Sequence, residues 1–176
     1  GYIIAEAKKG LVGTNINFPS ISVGATENAL LAAYGATGKT VLSNCAIEPE
    51  ILDLIQFLRK LGCKIKISGR KIFIEGTNLS FKRASHKIIF DRIEAGTYLI
   101  AGGLLSKKIV IKNVEPKILK CEIDILKKMG VKITTAKNKI LIFKAKNLKR
   151  VNISTKPYPG FPTDLQAQLM VLMCKS

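Results

Sequence analysis

Residues 38–52 read GKTVLSNCAIEPEIL, and residues 106–119 read SKKIVIKNVEPKIL. Both stretches have a short β-branched strand pattern, then an asparagine, a Glu-Pro pair and an Ile-Leu pair in the same order. The asparagines are 69 residues apart, the prolines 67, and the later glycines, Gly62 and Gly130, 68. A separation this constant indicates an internal repeat, which we place at about 68 residues.

The period of the apolar residues changes in the same order within each repeat. A mostly apolar stretch, 29–36 or 93–105, predicts a buried helix, and a short strand follows it. Glu-Pro then begins an amphipathic helix, a glycine ends that helix, and two strands joined by a polar turn complete the repeat. We predict leading strands at 15–18, 87–90 and 151–154, so the fold is α/β with βαβαββ units. The chain begins and ends within a unit, and we expect it to be an excerpt of a longer protein.

Composition limits the function classes without choosing one. The 176 residues carry 29 basic and 12 acidic side chains, a net charge of +17 that would attract nucleic acid, an anionic membrane or polyanionic metabolites. A basic βα-repeat module that binds nucleic acid is therefore one hypothesis, although no arginine and aromatic residues alternate as base-stacking surfaces require. A truncated relic that only folds or associates is another. Without a signal peptide or a long apolar run, we expect a cytoplasmic protein that does not bind membranes.

The glycine-rich stretch GATGKT, residues 35–40, resembles the end of a phosphate-binding loop. Its glycine spacing is wrong for that loop, and it follows a predicted helix and leads into a predicted strand, so we interpret it as a turn. Metal ligation is not predicted, because His86 is the only histidine and the cysteines are far apart. We expect His86 at the surface and the cysteines as reduced, mostly buried thiols. The cysteines are Cys45, Cys63, Cys121 and Cys174.

Polar residues concentrate where the buried helices begin. These junctions are residues 21–27 (ISVGATE), 91–97 (DRIEAGT) and 159–168 (PGFPTDLQAQ). Free N–H groups and hydroxyls at a helix start can bind an anion, and the same residues can equally be ordinary N-caps. At the third junction Asp164 follows a stiff, proline-rich approach, and its carboxylate could accept a proton from a substrate hydroxyl.

The junction sequences, together with Glu48-Pro-Glu50, resemble the UDP-N-acetylglucosamine 1-carboxyvinyltransferases, a branch of the enolpyruvyl transferase family. The similarity covers nearly the whole chain and keeps the order of the motifs. The FPTDLQAQ stretch, residues 161–168, separates this branch from the enolpyruvylshikimate-phosphate synthases, which share the repeated architecture.

The resemblance implies a fold and a reaction. The family's inside-out α/β barrel has two lobes of three βαβαββ units each, with residues 1–90 ending the first lobe and residues 91–176 starting the second. The implied reaction transfers the enolpyruvyl group of phosphoenolpyruvate to the 3-hydroxyl of UDP-N-acetylglucosamine with release of phosphate. This reaction is the first committed step of peptidoglycan synthesis and uses no metal or organic cofactor.

The resemblance also implies roles for individual residues. Asp164 corresponds to the catalytic base at the 3-hydroxyl, with Thr163 beside it. Ser22, Val23 and Gly24 correspond to a loop that holds the uridine diphosphate. Ser20 stands where the family often has a basic residue, which would remove a contact to the diphosphate.

Charged residues at other family positions are possible cleft-lining groups: Glu48, Glu50, Asp91 and Arg92. The family's early lysine-asparagine pair, its mobile loop with the catalytic acid, and the arginines that bind phosphoenolpyruvate have no counterpart in these 176 residues. We therefore expect the chain alone to be inactive and to need the remainder of the same enzyme, because no cations are available to stabilise the phosphate and the developing charge.

Overall fold

A computed structural model describes residues 2–77, 83–105 and 107–175. The chain divides into two compact units, Gly1–Ile88 and Ile89–Ser176, and each contains a sheet with helices packed on it. The α-helices are α1 (Val23–Gly35), α2 (Pro49–Lys60), α3 (Arg92–Leu104), α4 (Lys120–Lys128) and α5 (Gln166–Met173). The strands are β1 (Asn15–Asn17), β2 (Lys39–Ser43), β3 (Lys64–Ser68), β4 (Lys71–Glu75), β5 (Lys108–Lys112), β6 (Lys132–Ala136) and β7 (Lys139–Phe143).

The first unit has a four-stranded sheet in the order β1-β2-β4-β3. Strand β1 is parallel to β2, and the other pairs are antiparallel. Alternation along β4 directs Ile72 and Ile74 into the core while Phe73 is 41% exposed on the opposite face. The core lies between this sheet and helices α1 and α2. It contains Leu30, Leu42, Ile51, Ile55, Leu58, Ile65, Ile72 and Ile74.

Helix α2 forms where the sequence predicts it, for local reasons. Pro49 occupies its first position, where a missing N–H leaves no hydrogen bond unmade. Ile51, Ile55 and Leu58 form its buried stripe, and each such burial is worth about 1.5–3 kcal/mol. The helix ends before Gly62, whose φ of +101° is a conformation that glycine adopts without steric cost.

The second unit repeats this arrangement with one strand fewer. Its sheet has the order β5-β7-β6, and both strand pairs are antiparallel. A 3₁₀ turn, Pro116–Leu119, leads into α4, and Gly130 follows with a φ of +95°. The core contains Leu99 from α3, Leu126 from α4, Ile140 and Ile142 from β7, and the later residues Phe161, Leu165, Leu169 and Leu172.

Two of the three predicted leading strands are wrong. Strand β1 confirms the first, but residues 87–90 and 151–154 form no strand. Just before the first of these segments, the chain is held on α2, because Lys60 Nζ donates to Ser85 O at 3.1 Å. Just after the second, the chain folds back on itself in a single bridge between Thr155 and Phe161. A β-branched pattern makes a strand only where a partner strand lies alongside.

The two helices that we expected to be buried over most of their surface are covered on one side. In α1, Leu30 is fully buried and Leu31 is 53% exposed; in α3, Leu99 is fully buried and Tyr98 is 55% exposed. The mixed α/β class with repeated units is nevertheless confirmed. Among the described residues, no helix is both long and apolar enough to cross a bilayer.

Candidate functional site

At the start of α1, the hydroxyls of Ser22 and Thr26 form hydrogen bonds with backbone groups of the same unit. Ser22 is the N-cap, and its hydroxyl accepts a hydrogen bond from Ala25 N at 3.3 Å. Thr26 Oγ1 donates to Ser22 O at 2.7 Å and accepts from Ala46 N at 3.0 Å. These bonds attach the start of α1 to the segment that precedes Glu48.

The backbone of the same junction is open to a ligand. The first N–H groups of a helix have no intrahelical acceptor, and here they belong to Val23 and Gly24. Gly24 is exposed, and a Cβ added to it would meet no atom within 4 Å. Ser20 is exposed in the bend just before the helix. An anion can therefore reach this helix start, although Ser20 supplies no positive charge to it.

Glu48 and Glu50 lie at the start of α2. Glu48 is 4% exposed and occupies the N-cap position without capping the helix through its side chain, and Glu50 is in the first turn. Negative charge at a helix N-terminus is favourable, so both carboxylates have a stabilising role in this unit.

At the start of α3, the polar side chains also make contacts within the fold. The Asp91 carboxylate accepts from Ile93 N at 2.7 Å and from Glu94 N at 3.1 Å, as an N-cap does. Arg92 is 7% exposed, and its guanidinium carbon lies 6.0 Å from the centre of the Tyr158 ring. The second unit therefore brings Arg92 together with the loop that leads to Asp164.

Asp164 lies in a 3₁₀ turn, Thr163–Leu165, that runs directly into α5. Phe161 and Leu165 are 3% and 0% exposed, whereas Thr163 and Asp164 between them are exposed. Two buried anchors thus hold a short turn whose carboxylate and hydroxyl face solvent. Such a turn can present a base to a bound hydroxyl without itself being buried.

Helix α3 fixes this turn through a close contact and a hydrogen bond. Leu165 lies so near α3 that a Cβ on Gly96 would be 2.4 Å from Leu165 Cδ1. One turn further along α5, Gln168 Nε2 donates to Thr97 Oγ1 at 3.1 Å, and Thr97 Oγ1 donates to Ile93 O at 2.9 Å. Gly96 and Gln168 lie within the junction motifs, but the motifs alone do not reveal these contacts. The one available signal is the glycine in EAGT, residues 94–97, because a residue without a side chain allows close packing.

The GATGKT stretch is a turn, as predicted. It ends α1 and continues into β2, and Gly38 has a φ of +91° and accepts from Gly76 N at 2.9 Å. No helix begins after it, so it lacks the helix N-terminus that a phosphate loop presents.

The expectation that His86 is a surface residue is wrong. Its side chain is 8% exposed, its Nε2 lies 3.0 Å from Asp53 Oδ1, and its ring is 5.5 Å from that of Phe57. The sequence gives no periodic signal for this pair, because Asp53 is 33 residues away.

All four cysteines are described and none forms a disulfide. Cys45 and Cys63 are buried, Cys121 is partly buried and Cys174 is exposed. Burial raises the pKa of the Cys45, Cys63 and Cys121 thiols, which keeps them protonated and weakly nucleophilic at neutral pH.

Known proteins match both the sequence and the fold. The chain is 57% identical over 177 residues to a UDP-N-acetylglucosamine 1-carboxyvinyltransferase of Pelagibacter ubique and 50% identical over 175 residues to one of Endomicrobium trichonymphae. The matches cover 100% and 99% of this chain, which spans 42% of the length of each relative.

A solved structure of the enolpyruvyl transferase NikO from Streptomyces tendae superposes with a TM-score of 0.78 at 27% identity, over 87% of this chain and 37% of that one. An EPSP synthase of Acinetobacter baumannii, at 21% identity and a TM-score of 0.58, covers 94% of this chain and 37% of that one and shares the fold. The family model for EPSP synthase (3-phosphoshikimate 1-carboxyvinyltransferase) matches residues 1–175. This chain therefore belongs to the EPSP synthase family, the enolpyruvyl transferases.

Proposed function

We propose that the protein containing this chain transfers the enolpyruvyl group of phosphoenolpyruvate to the 3-hydroxyl of UDP-N-acetylglucosamine, releasing phosphate and committing the sugar nucleotide to peptidoglycan. The relatives at 57% and 50% identity carry the name of that reaction. The structural observation that carries the proposal is the exposed Asp164 carboxylate, held between the buried side chains of Phe161 and Leu165.

In this proposal Asp164 is the general base. Its carboxylate accepts the proton of the sugar 3-hydroxyl while the hydroxyl oxygen bonds to C2 of phosphoenolpyruvate and C3 gains a proton from a group outside this chain. Loss of a proton from the resulting methyl group and departure of phosphate then restore the double bond. Thr163, adjacent and exposed, can donate or accept a hydrogen bond at the same hydroxyl.

The start of α1 is the proposed binding site for the diphosphate of the sugar nucleotide. The N–H groups of Val23 and Gly24 suit phosphate oxygens, and Ser22 holds the helix start in position through its cap. Ser20 adds a hydroxyl but no charge. The net charge of +17 supplies a long-range attraction for both anionic substrates.

The activity is a property of the whole protein. The chain spans 42% of the length of the two relatives. We expect the phosphoenolpyruvate-binding cations and the catalytic acid in the remainder of the protein. We propose that residues 1–176 alone have no turnover, that the reaction needs no cofactor, and that the protein works in the cytoplasm.

Substitution of Asp164 in the full-length enzyme tests the proposal. Asp164→Asn keeps the size of the side chain but removes the base, so phosphate release from phosphoenolpyruvate in the presence of UDP-N-acetylglucosamine should fall by roughly 10²–10⁴-fold. Asp124→Asn is the matched control, because Asp124 is a partly exposed carboxylate on α4 that pairs only with Lys120 among the described residues. Near-normal turnover by Asp164→Asn would rule out this role.

A further inference from the structure

Arg92 is a buried cation that the proposed mechanism does not use. It is the first residue of α3 and is 7% exposed, so its side chain lies within the second unit. Its guanidinium carbon is 6.0 Å from the centre of the Tyr158 ring, at the outer limit for a cation–π contact.

A buried carboxylate accompanies Arg92. Glu122 on α4 is 3% exposed, and its Oε2 has no hydrogen-bond partner among the described residues. Burial raises the pKa of this carboxyl, and the nearby charge of Arg92 acts in the opposite direction. The first repeat has Leu54 at the corresponding position, 68 residues earlier. The second repeat therefore places a buried carboxyl group where the first repeat has an apolar side chain.

Tyr158 connects Arg92 to the proposed base. It lies in a loop that closes on itself, because Lys156 N donates to Phe161 O and Gly160 N donates to Pro157 O, both at 2.9 Å. Phe161 ends the loop as a buried anchor, and Asp164 follows three residues later. A shift of Tyr158 would therefore be passed to the turn that carries the carboxylate.

We propose that Arg92 is a positioning residue for Asp164: it holds the Tyr158 loop, which leads to the turn that carries the carboxylate. The inference rests on the proposed function, because it assigns Arg92 a part in the placement of the base. It differs from a role for Arg92 as a cleft-lining group that binds substrate. A substrate contact needs an accessible guanidinium, whereas Arg92 is 7% exposed and faces a side chain of its own unit.

A double-mutant cycle in the full-length enzyme tests this path. Arg92→Met keeps the apolar stem and removes the charge, and Tyr158→Leu removes the ring. Each should lower kcat roughly ten- to a hundredfold, the cost of a misplaced catalytic group, while KM for either substrate changes less than about twofold. Because both act on one loop, the double variant should be no slower than the slower single variant. Tyr158→Phe keeps the ring and should restore turnover.

The inference would be overturned if the fold-loss in kcat of the double variant equalled the product of the fold-losses of the two single variants. So would a raised KM for a substrate in Arg92→Met that is absent in Tyr158→Leu, since Arg92 would then bind that substrate itself.

Hydrogen exchange separates this inference from the proposed function. In the full-length protein, the amides of Lys156, Gly160 and Leu165 should exchange at least tenfold faster in Arg92→Met and Tyr158→Leu than in Tyr158→Phe or the unsubstituted protein. If the unsubstituted protein shows no turnover, the proposed function fails and the exchange rates still decide the inference. Unchanged exchange in Arg92→Met would overturn it whatever the kinetics.

Discussion

Gly96→Ala tests most sharply how the fold places Asp164. The added methyl group would lie 2.4 Å from Leu165 Cδ1, 3.2 Å from Cδ2 and 3.4 Å from Cγ. Since carbon atoms in contact lie about 3.5–4.0 Å apart, Leu165 has to move by roughly 1 Å or more. Leu165 is fully buried, and protein cores are packed closely enough that little room is available for such a shift.

Two effects on stability oppose each other in this variant. Alanine favours the interior of a helix over glycine by about 0.5–1 kcal/mol, and overpacking a core costs about 1–3 kcal/mol. The net loss of stability should therefore lie between about 0 and 2.5 kcal/mol. Displacement of the residue next to Asp164 by about 1 Å can cost up to roughly a hundredfold in rate. We expect kcat to fall far more than stability does.

The measurements are turnover and thermal unfolding of the full-length enzyme. Gly102→Ala is the matched control: it lies on the same helix, gains the same helix preference and approaches Ile142 at 3.3 Å, away from the Asp164 turn. It should leave kcat within about threefold of the unsubstituted enzyme, since a contact of that length needs only a small adjustment. An unaltered kcat in Gly96→Ala, or equal losses in both variants, would refute the reasoning.

Two further predictions concern stability. Burial raises the pKa of Glu122, so the folded protein binds this proton more tightly than the unfolded chain does. The free energy of unfolding therefore falls as pH rises from the ordinary range of a carboxyl pKa to the raised value, because the ionised carboxylate is buried. Glu122→Gln should therefore raise Tm at pH 7 while its advantage disappears on acidification below pH 4, and a gain that persists at low pH would contradict this origin. His86→Ala should destabilise the protein by about 1–3 kcal/mol in denaturant unfolding, because it leaves buried Asp53 without its 3.0 Å partner. If the pair acts as one, Asp53→Ala combined with His86→Ala should cost less than the sum of the two single changes, and full additivity would count against the pairing.

Local signals in the sequence were sufficient to predict the helices and the strand pairs that recur in the two repeats. Pro49 at a helix start, Gly62 and Gly130 at helix ends, and alternation in the strand pairs act over a few residues, and the structure confirms each of them. The similarity of the junction motifs also identified the family, which the comparisons confirm.

Features that depend on distant partners were not predictable. The segment 87–90 has a strand pattern, but no strand among the described residues pairs with it. The sequence also does not show that the neighbouring His86 is held by Asp53 on α2. In the same way the sequence does not show that Arg92 lies near the ring of Tyr158, which is 66 residues away along the chain. The assignment of residues 1–90 and 91–176 to two lobes, and the roles of the site residues, stay predictions.

The choice of acceptor tests the central claim most directly. The full-length protein should be incubated with phosphoenolpyruvate and either UDP-N-acetylglucosamine or shikimate 3-phosphate, and the products analysed by phosphate release and mass spectrometry. We predict phosphate release and an enolpyruvyl ether only with the sugar nucleotide. Product formation with shikimate 3-phosphate alone, or salt-sensitive oligonucleotide binding with no response to the sugar nucleotide, would contradict the account.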